Sequence, residues 1–207
     1  SLQVAASGVA ITSQPLPQTV CAGDGASFAV GISGTAQSFH WERDTGSGFV
    51  ALDNGGAVSG ADSATLVLSE ATPDDVGMYR CVVTGSCGTA VSEAAALAIG
   101  AAPAITLPPA DQTLLEGASA AFSVSAEGTF LTYQWETSTD AGVAFTAIPG
   151  ATSAAYSSPP LGIADDGRQY RCVVTGSCGA AASTAATITV LRAQQIPLQT
   201  GWNAISL

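Results

Sequence analysis

The stretch Asp74–Gly88 reads DDVGMYRCVVTGSCG, and Asp165–Gly179 reads DDGRQYRCVVTGSCG. From the tyrosine onward the two are identical letter for letter, Tyr79–Gly88 over Tyr170–Gly179, and each copy carries two cysteines six positions apart. The match continues upstream: QTVCAGDGASFAV (Gln18–Val30) lies over QTLLEGASAAFSV (Gln112–Val124), and FHWE (Phe39–Glu42) over YQWE (Tyr133–Glu136), both at an offset of 94 residues. The offset falls to 91 at the cysteines, because the second copy has three residues fewer between Trp and Cys. A period of about ninety residues is too long for a solenoid unit and suits a whole domain. The 207 residues are therefore read as a first domain over 1–101, a second over 102–192 and a tail over 193–207.

Within each copy apolar residues alternate with polar ones: Ala26, Phe28, Val30; Phe39, Trp41; Leu66, Leu68; Tyr79, Cys81, Val83; Leu97, Ile99. Turn-forming clusters such as AGDG, DTGSG and DNGG separate these runs. Period two over short segments, with turns every 8–12 residues or so, predicts an all-β sandwich in each copy.

A Trp eleven residues after Val30, followed by DDVGMYRC (Asp74–Cys81), resembles the immunoglobulin fold. The D-x-G-x-Y-x-C pattern of I-set-like domains is complete in the first copy as Asp75, Gly77, Tyr79 and Cys81; in the second, Asp166, Tyr170 and Cys172 match and the Gly is displaced. The chain is most similar to the tandem immunoglobulin-like repeats of bacterial secreted and cell-surface proteins. The resemblance implies that Trp41 and Trp135 are core residues of the third strand, and that Tyr79 and Tyr170 are corner tyrosines bonded to upstream backbone. It implies a different turn before the Tyr170 strand.

The usual bridge between the two sheets is impossible here, since Val30 and Val124 stand where its first cysteine would be. If the hairpin turns at Val83-Thr84-Gly85, Cys81 faces Cys87 and Cys172 faces Cys178, and both pairs can bridge. A pair present in both copies favours that register. Cys21 is then a free thiol or an intermolecular link. If instead Gly85-Ser86-Cys87-Gly88 is the turn, Cys87 sits at the tip, and Cys178 at the matching tip is a candidate partner for Cys21. A third reading leaves Cys81 and Cys172 as buried thiols without bridges.

Composition narrows the function. Charged residues are 10% of the chain, well below the roughly 25% of ordinary soluble domains. Net charge is -11, with no lysine and five scattered arginines: Arg43, Arg80, Arg168, Arg171 and Arg192. No basic stripe exists for nucleic acid or an anionic membrane, and no apolar run approaches the ~20 residues of a membrane span. The sequence begins without Met and without the apolar core of a signal peptide, so it reads as a processed or excised piece. Five cysteines and no C-x-x-C spacing point to an oxidising, extracellular or cell-surface setting rather than a zinc site. Without lysine, the Lys–Asn isopeptide crosslinks of some bacterial surface domains cannot form.

No catalytic, cofactor or metal residues are assigned. His40, the one histidine, alternates with Phe39 and Trp41 and so faces solvent. Asp74-Asp75 and Asp165-Asp166 resemble a carboxylate pair, yet they precede the corner tyrosine, where such residues fix a turn and pair with Arg. Asp24, Asp53 and Asp62 lack calcium-loop spacing, and Gly46 and Gly55-Gly56 are turn glycines. The reading is a non-catalytic extracellular structural or adhesion module, a spacer with the short linker Gly100-Ala101-Ala102-Pro103 and end-to-end domains. Its expected partners are other copies of itself or neighbouring surface-protein domains. The alternative is an accessory polysaccharide-binding module of a secreted enzyme, for which Phe49, Phe145 and Tyr156 are the available aromatics and a glycan the partner. The tail AQQIPLQTGWNAISL alternates Ile196, Leu198, Thr200 and Trp202, continues to Ile205 and Leu207, and reads as one more strand. It resembles the GWNLISLP-type segment near the C-terminal ends of some bacterial surface proteins. Two readings stay open: it adds to a sheet edge of a neighbouring copy and helps build a filament, or it is the first strand of a further domain cut short.

Overall fold

The computed structural model describes residues 8–192. Ile196, Leu198, Trp202, Ile205 and Leu207, the expected assembly strand, lie outside the described residues. Two compact units form: one runs to Ala102 and takes in Gly128–Phe130 and Gly176–Gly179, and the other comprises Pro103–Glu127, Leu131–Thr175 and the residues from Ala180 onward.

The first unit is built, in chain order, from β1 (Ala10–Ser13), β2 (Gln18–Cys21), β3 (Ala26–Ala29), β4 (Gly31–Ser33), β5 (Ala36–Asp44), β6 (Phe49–Ala51), β7 (Val58–Ser59), β8 (Thr65–Leu68), β9 (Gly77–Gly85), β10 (Gly88–Val91) and β11 (Ala95–Gly100). One sheet runs β2-β11-β9-β5-β6, with β10 also on β9. Opposite it lie β3-β8-β7 and the pair β1-β4. β2 joins β11 in parallel, while its neighbours are antiparallel. The predicted alternation is the packing: Ala26, Phe28, Val30, Trp41, Leu66, Leu68, Tyr79, Cys81, Val83 and Leu97 are buried in one core, and Phe39 and Ile99 pack on its margin. Trp41 and Tyr79 are wholly buried, and the Phe28 ring stacks on Tyr79 at 4.8 Å. A buried indole N–H must find an acceptor. That of Trp41 donates to the Ser63 carbonyl at 2.9 Å.

The second unit repeats the plan with β12 (Ala104–Leu107), β13 (Gln112–Leu115), β14 (Ala121–Ser123), β15 (Ser125–Glu127), β16 (Thr132–Ser138), β17 (Thr146–Ala147), β18 (Ala155–Ser157), β19 (Gln169–Gly176), β20 (Gly179–Ala182) and β21 (Ala186–Leu191). Its large sheet is β13-β21-β19-β16-β17, facing β14-β18 and β12-β15. Trp135 is wholly buried, Tyr170 nearly so, and Trp135 Nε1 donates to the Ser153 carbonyl at 2.9 Å. The repeated Gln-Thr has a physical reason as well. The amide of Gln18 exchanges hydrogen bonds with the backbone of Ser27, and that of Gln112 with the backbone of Ala121, so each clamps β2 to β3 or β13 to β14.

The local cysteine bridges do not form. Gly85 pairs with Gly88, so the β9–β10 turn is the two residues Ser86-Cys87, and Cys87 is exposed at the tip. Cys81 lies deeper in β9, opposite Trp41 on β5, and its backbone N–H donates to Ser92 Oγ at 2.9 Å. Cys172 is placed likewise against Trp135 and Ser183. Both are buried free thiols, with no sulfur in reach. Cys178, at the second hairpin tip, is bonded to Cys21 at the end of β2, with the two Cα atoms 5.5 Å apart. The tight two-residue turn thus overturns both expected pairs and the free Cys21. It carries the second cysteine of each copy to a tip, away from the first.

Candidate functional site

The residues that sequence singled out divide into turn, core and surface roles. His40 is exposed on β5, its Nε2 4.0 Å from Glu42 Oε1. Glu42 is bound more closely by Arg80 on β9, at 2.7 Å from Nε, and the Arg80 guanidinium lies 3.8 Å over the Phe49 ring. The second unit repeats the trio: Glu136 to Arg171 at 2.7 Å, and Arg171 over Phe145 at 4.0 Å. One face of each of those two phenyl rings is therefore covered, which removes them as a flat stacking row. Tyr156 is not a surface platform either; its ring packs 6.0 Å from Trp135 and 5.9 Å from Tyr170.

The aspartate pairs sit where a one-turn 3-10 helix leads into the corner-tyrosine strand, Pro73–Asp75 in one unit and Ile163–Asp165 in the other. Asp75 Oδ2 accepts from the Thr72 backbone N–H at 2.9 Å and hydroxyl at 2.7 Å. Asp165 Oδ2 accepts from the Gly162 N–H at 2.8 Å, and Asp166 Oδ1 from the Val190 N–H at 2.9 Å. The Tyr79 hydroxyl donates to the Asp75 carbonyl at 2.6 Å, the corner bond the fold resemblance implies. Asp62 Oδ1 takes a bond from Asn54. Among the described residues no three His, Cys, Asp or Glu side chains gather where they could hold a metal ion, and no helix is long and apolar enough to cross a membrane.

The two units differ most just before the corner tyrosine. In the first, Arg43 reaches from β5 to Asp75 Oδ1 at 3.3 Å and to the Asp74 carbonyl at 3.1 Å. Its counterpart on β16 is Thr137, each being paired with its corner tyrosine across the sheet. In the second unit the arginine comes from the other strand. Arg168, two before Tyr170, holds Asp165 Oδ1 at 2.6 Å from its terminal nitrogen. One extra residue, Gly167, enters the turn with φ of 78°, a left-handed conformation that suits glycine. The displaced Gly of the motif thus accompanies an arginine placed just before β19 instead of on β16.

Beside that ion pair the second unit has a cavity of about 250 Å³. Thr137, Tyr156, Asp165, Arg168 and Tyr170 supply its polar groups, and Ile148, Pro159, Pro160 and Leu161 its apolar wall. Arg168 Nε is buried without a hydrogen-bond partner. Burial raises the phenol pKa of Tyr170 and of Tyr156, with the Arg168 charge acting against it in both. The first unit also has a cavity of about 250 Å³, beside Arg43, Thr45, Val50, Ala51 and Leu52, but there the guanidinium is already engaged by Asp75. Sequence reasoning passed over Thr137, Arg168 and the prolines because it followed what the two copies share; the signal lay in what they do not.

Residues 9–99 match the model of the immunoglobulin I-set domain, and residues 105–192 that of a family described as a domain of unknown function, DUF8696. Over 186 residues the chain is 33% identical to Endoglucanase C of Cellulomonas fimi, an alignment covering 88% of this chain and 16% of that protein. The chain thus spans about a sixth of that relative's length. An I-band fragment of titin superposes with a TM-score of 0.68 at 19% identity, covering 91% of this chain and 67% of the fragment. Extracellular domains 3–5 of Drosophila OTK superpose with 0.55 at 20%, covering 88% and 62%. At those identities the likeness speaks for the fold. The chain carries immunoglobulin-like domains in tandem.

Proposed function

We propose that these two immunoglobulin-like sandwiches serve as a non-catalytic segment of a larger extracellular protein, a structural or adhesive module whose partners are neighbouring domains or further copies. The observation that carries this reading is the alignment with Endoglucanase C: nearly the whole chain matches a small fraction of a much longer enzyme, as a module accompanying other domains would. The Cys21–Cys178 bond supports an oxidising location. The non-catalytic reading is supported by Asp75 and Asp165, each taken up by turn backbone and an arginine.

The second reading, recruitment of a polysaccharide to a partner catalytic domain, is favoured by the identity of that relative and by the cavity beside Arg168. Incubating the purified chain with insoluble cellulose and with a glycan array separates the two. Retention supports recruitment; no retention on any glycan leaves the structural role.

A further inference from the structure

We infer that the cavity of the second sandwich is a binding site for one pyranose ring of a neutral saccharide, seated between Tyr156 with the Pro159-Pro160 wall and the Arg168–Asp165 pair. The inference rests on the polysaccharide-recruiting reading and names its site.

Coordinated substitutions change the lining. In the first sandwich Arg43 lines the cavity and packs by Gly77, where a Cβ would come within 2.7 Å of the Asp44 carbonyl oxygen and 3.3 Å of Arg43 Cγ. In the second, Thr137 stands for Arg43 and Arg168 for Gly77. Tyr156, paired with Phe122, stands where Leu66 pairs with Phe28 and adds a phenol to the wall. Three changes converge on one cavity, since Thr137, Tyr156 and Arg168 all line it.

The chemistry selects the ligand. Arg168 lines the cavity, and its Nε is a buried donor with no partner, a costly state. The Asp165 carboxylate at 2.6 Å from the same guanidinium neutralises its charge and offers an acceptor beside the donor. The protein's net charge of -11 further disfavours an anion. A neutral ligand whose adjacent groups both donate and accept fits, as vicinal hydroxyls do. Its C–H face has the apolar wall of Ile148, Pro159, Pro160 and Leu161 to lie on. The volume of about 250 Å³ falls below the roughly 300–1,000 Å³ of clefts for larger ligands, so one ring enters and the rest of a chain stays outside.

The test uses the full 207-residue chain. Binding of cellobiose is followed by saturation-transfer NMR and titration calorimetry, with glucuronate as the anionic control and cellulose retention measured in parallel. Two variants restore what the first sandwich has: the double exchange Thr137→Arg with Arg168→Gly, and Tyr156→Leu. Cellobiose should bind the parent, and both variants should weaken it about tenfold or more, the scale of one lost charge-assisted hydrogen bond. If cellobiose binding survives both, or glucuronate binds and cellobiose does not, the cavity assignment is overturned while cellulose retention upholds the recruiting role. If cellulose is not retained and cellobiose does not bind, the recruiting role fails and the cavity assignment with it.

Discussion

Gly77 makes room for the Asp44 carbonyl: a methyl group at position 77 would stand 2.7 Å from that oxygen and 3.3 Å from Arg43 Cγ. The glycine of the corner motif is required by this close approach of the β5 backbone, with the Arg43 stem beside it. In the second sandwich Arg168, just before β19, stands at the matching position. Gly77→Ala should therefore destabilise the first sandwich by about 1–3 kcal/mol through overpacking. Arg168→Gly should cost the second no more than about 1 kcal/mol, the worth of a part-exposed ion pair. Denaturant unfolding of the two variants checks the asymmetry; equal effects would contradict it.

Tyr79→Phe removes the hydroxyl that donates to the Asp75 carbonyl at 2.6 Å, without changing the ring that stacks on Phe28. The expected loss is about 0.5–1.5 kcal/mol. A loss near zero would mean the corner bond contributes nothing to the fold.

The fold was legible because its signals are local and written twice: the period-two alternation, Trp41 and Trp135, the corner tyrosines. Cysteine pairing was not. YRCVVTGSCG allows a turn at Val83-Thr84-Gly85 or at Ser86-Cys87, and only the ladder that pairs Gly85 with Gly88 decides which. The Cys21–Cys178 bond, between residues 157 apart, follows only from the second of those turns, which puts Cys178 at a tip. The cavity was hidden for the opposite reason, since Thr137 and Arg168 look unremarkable until the Arg43–Asp75 pair they replace is seen.

The thiols should behave unequally. In the native oxidised protein Cys87 should alkylate readily, while Cys81 and Cys172 resist until unfolding, and non-reducing peptide maps should join Cys21 to Cys178. Burial pushes the Cys81 thiol up from 9.0 to about 11. The folded state therefore holds that proton more tightly than the unfolded chain. This contribution to stability is intact below pH 9.0 and is lost as pH rises through about 11. Unfolding midpoints measured across that window should fall, and fall less in Cys81→Ala. A Cys81–Cys87 peptide would contradict this placement.

Trp41→Ala and Trp135→Ala should each cost about 3–5 kcal/mol, the range for a large buried aromatic. Each indole is fully enclosed and also donates to a backbone carbonyl that would be left unpaired. A penalty below about 1 kcal/mol in either would show that the indole does not organise its sandwich.

The decisive measurement is release of reducing ends from soluble and insoluble glucans by the purified chain, since Asp75 and Asp165 are each held by turn backbone and an arginine. The prediction is no release above a protein-free blank over prolonged incubation. Sustained release that disappears in Asp165→Asn or Asp75→Asn would make the chain an enzyme and overturn the non-catalytic role.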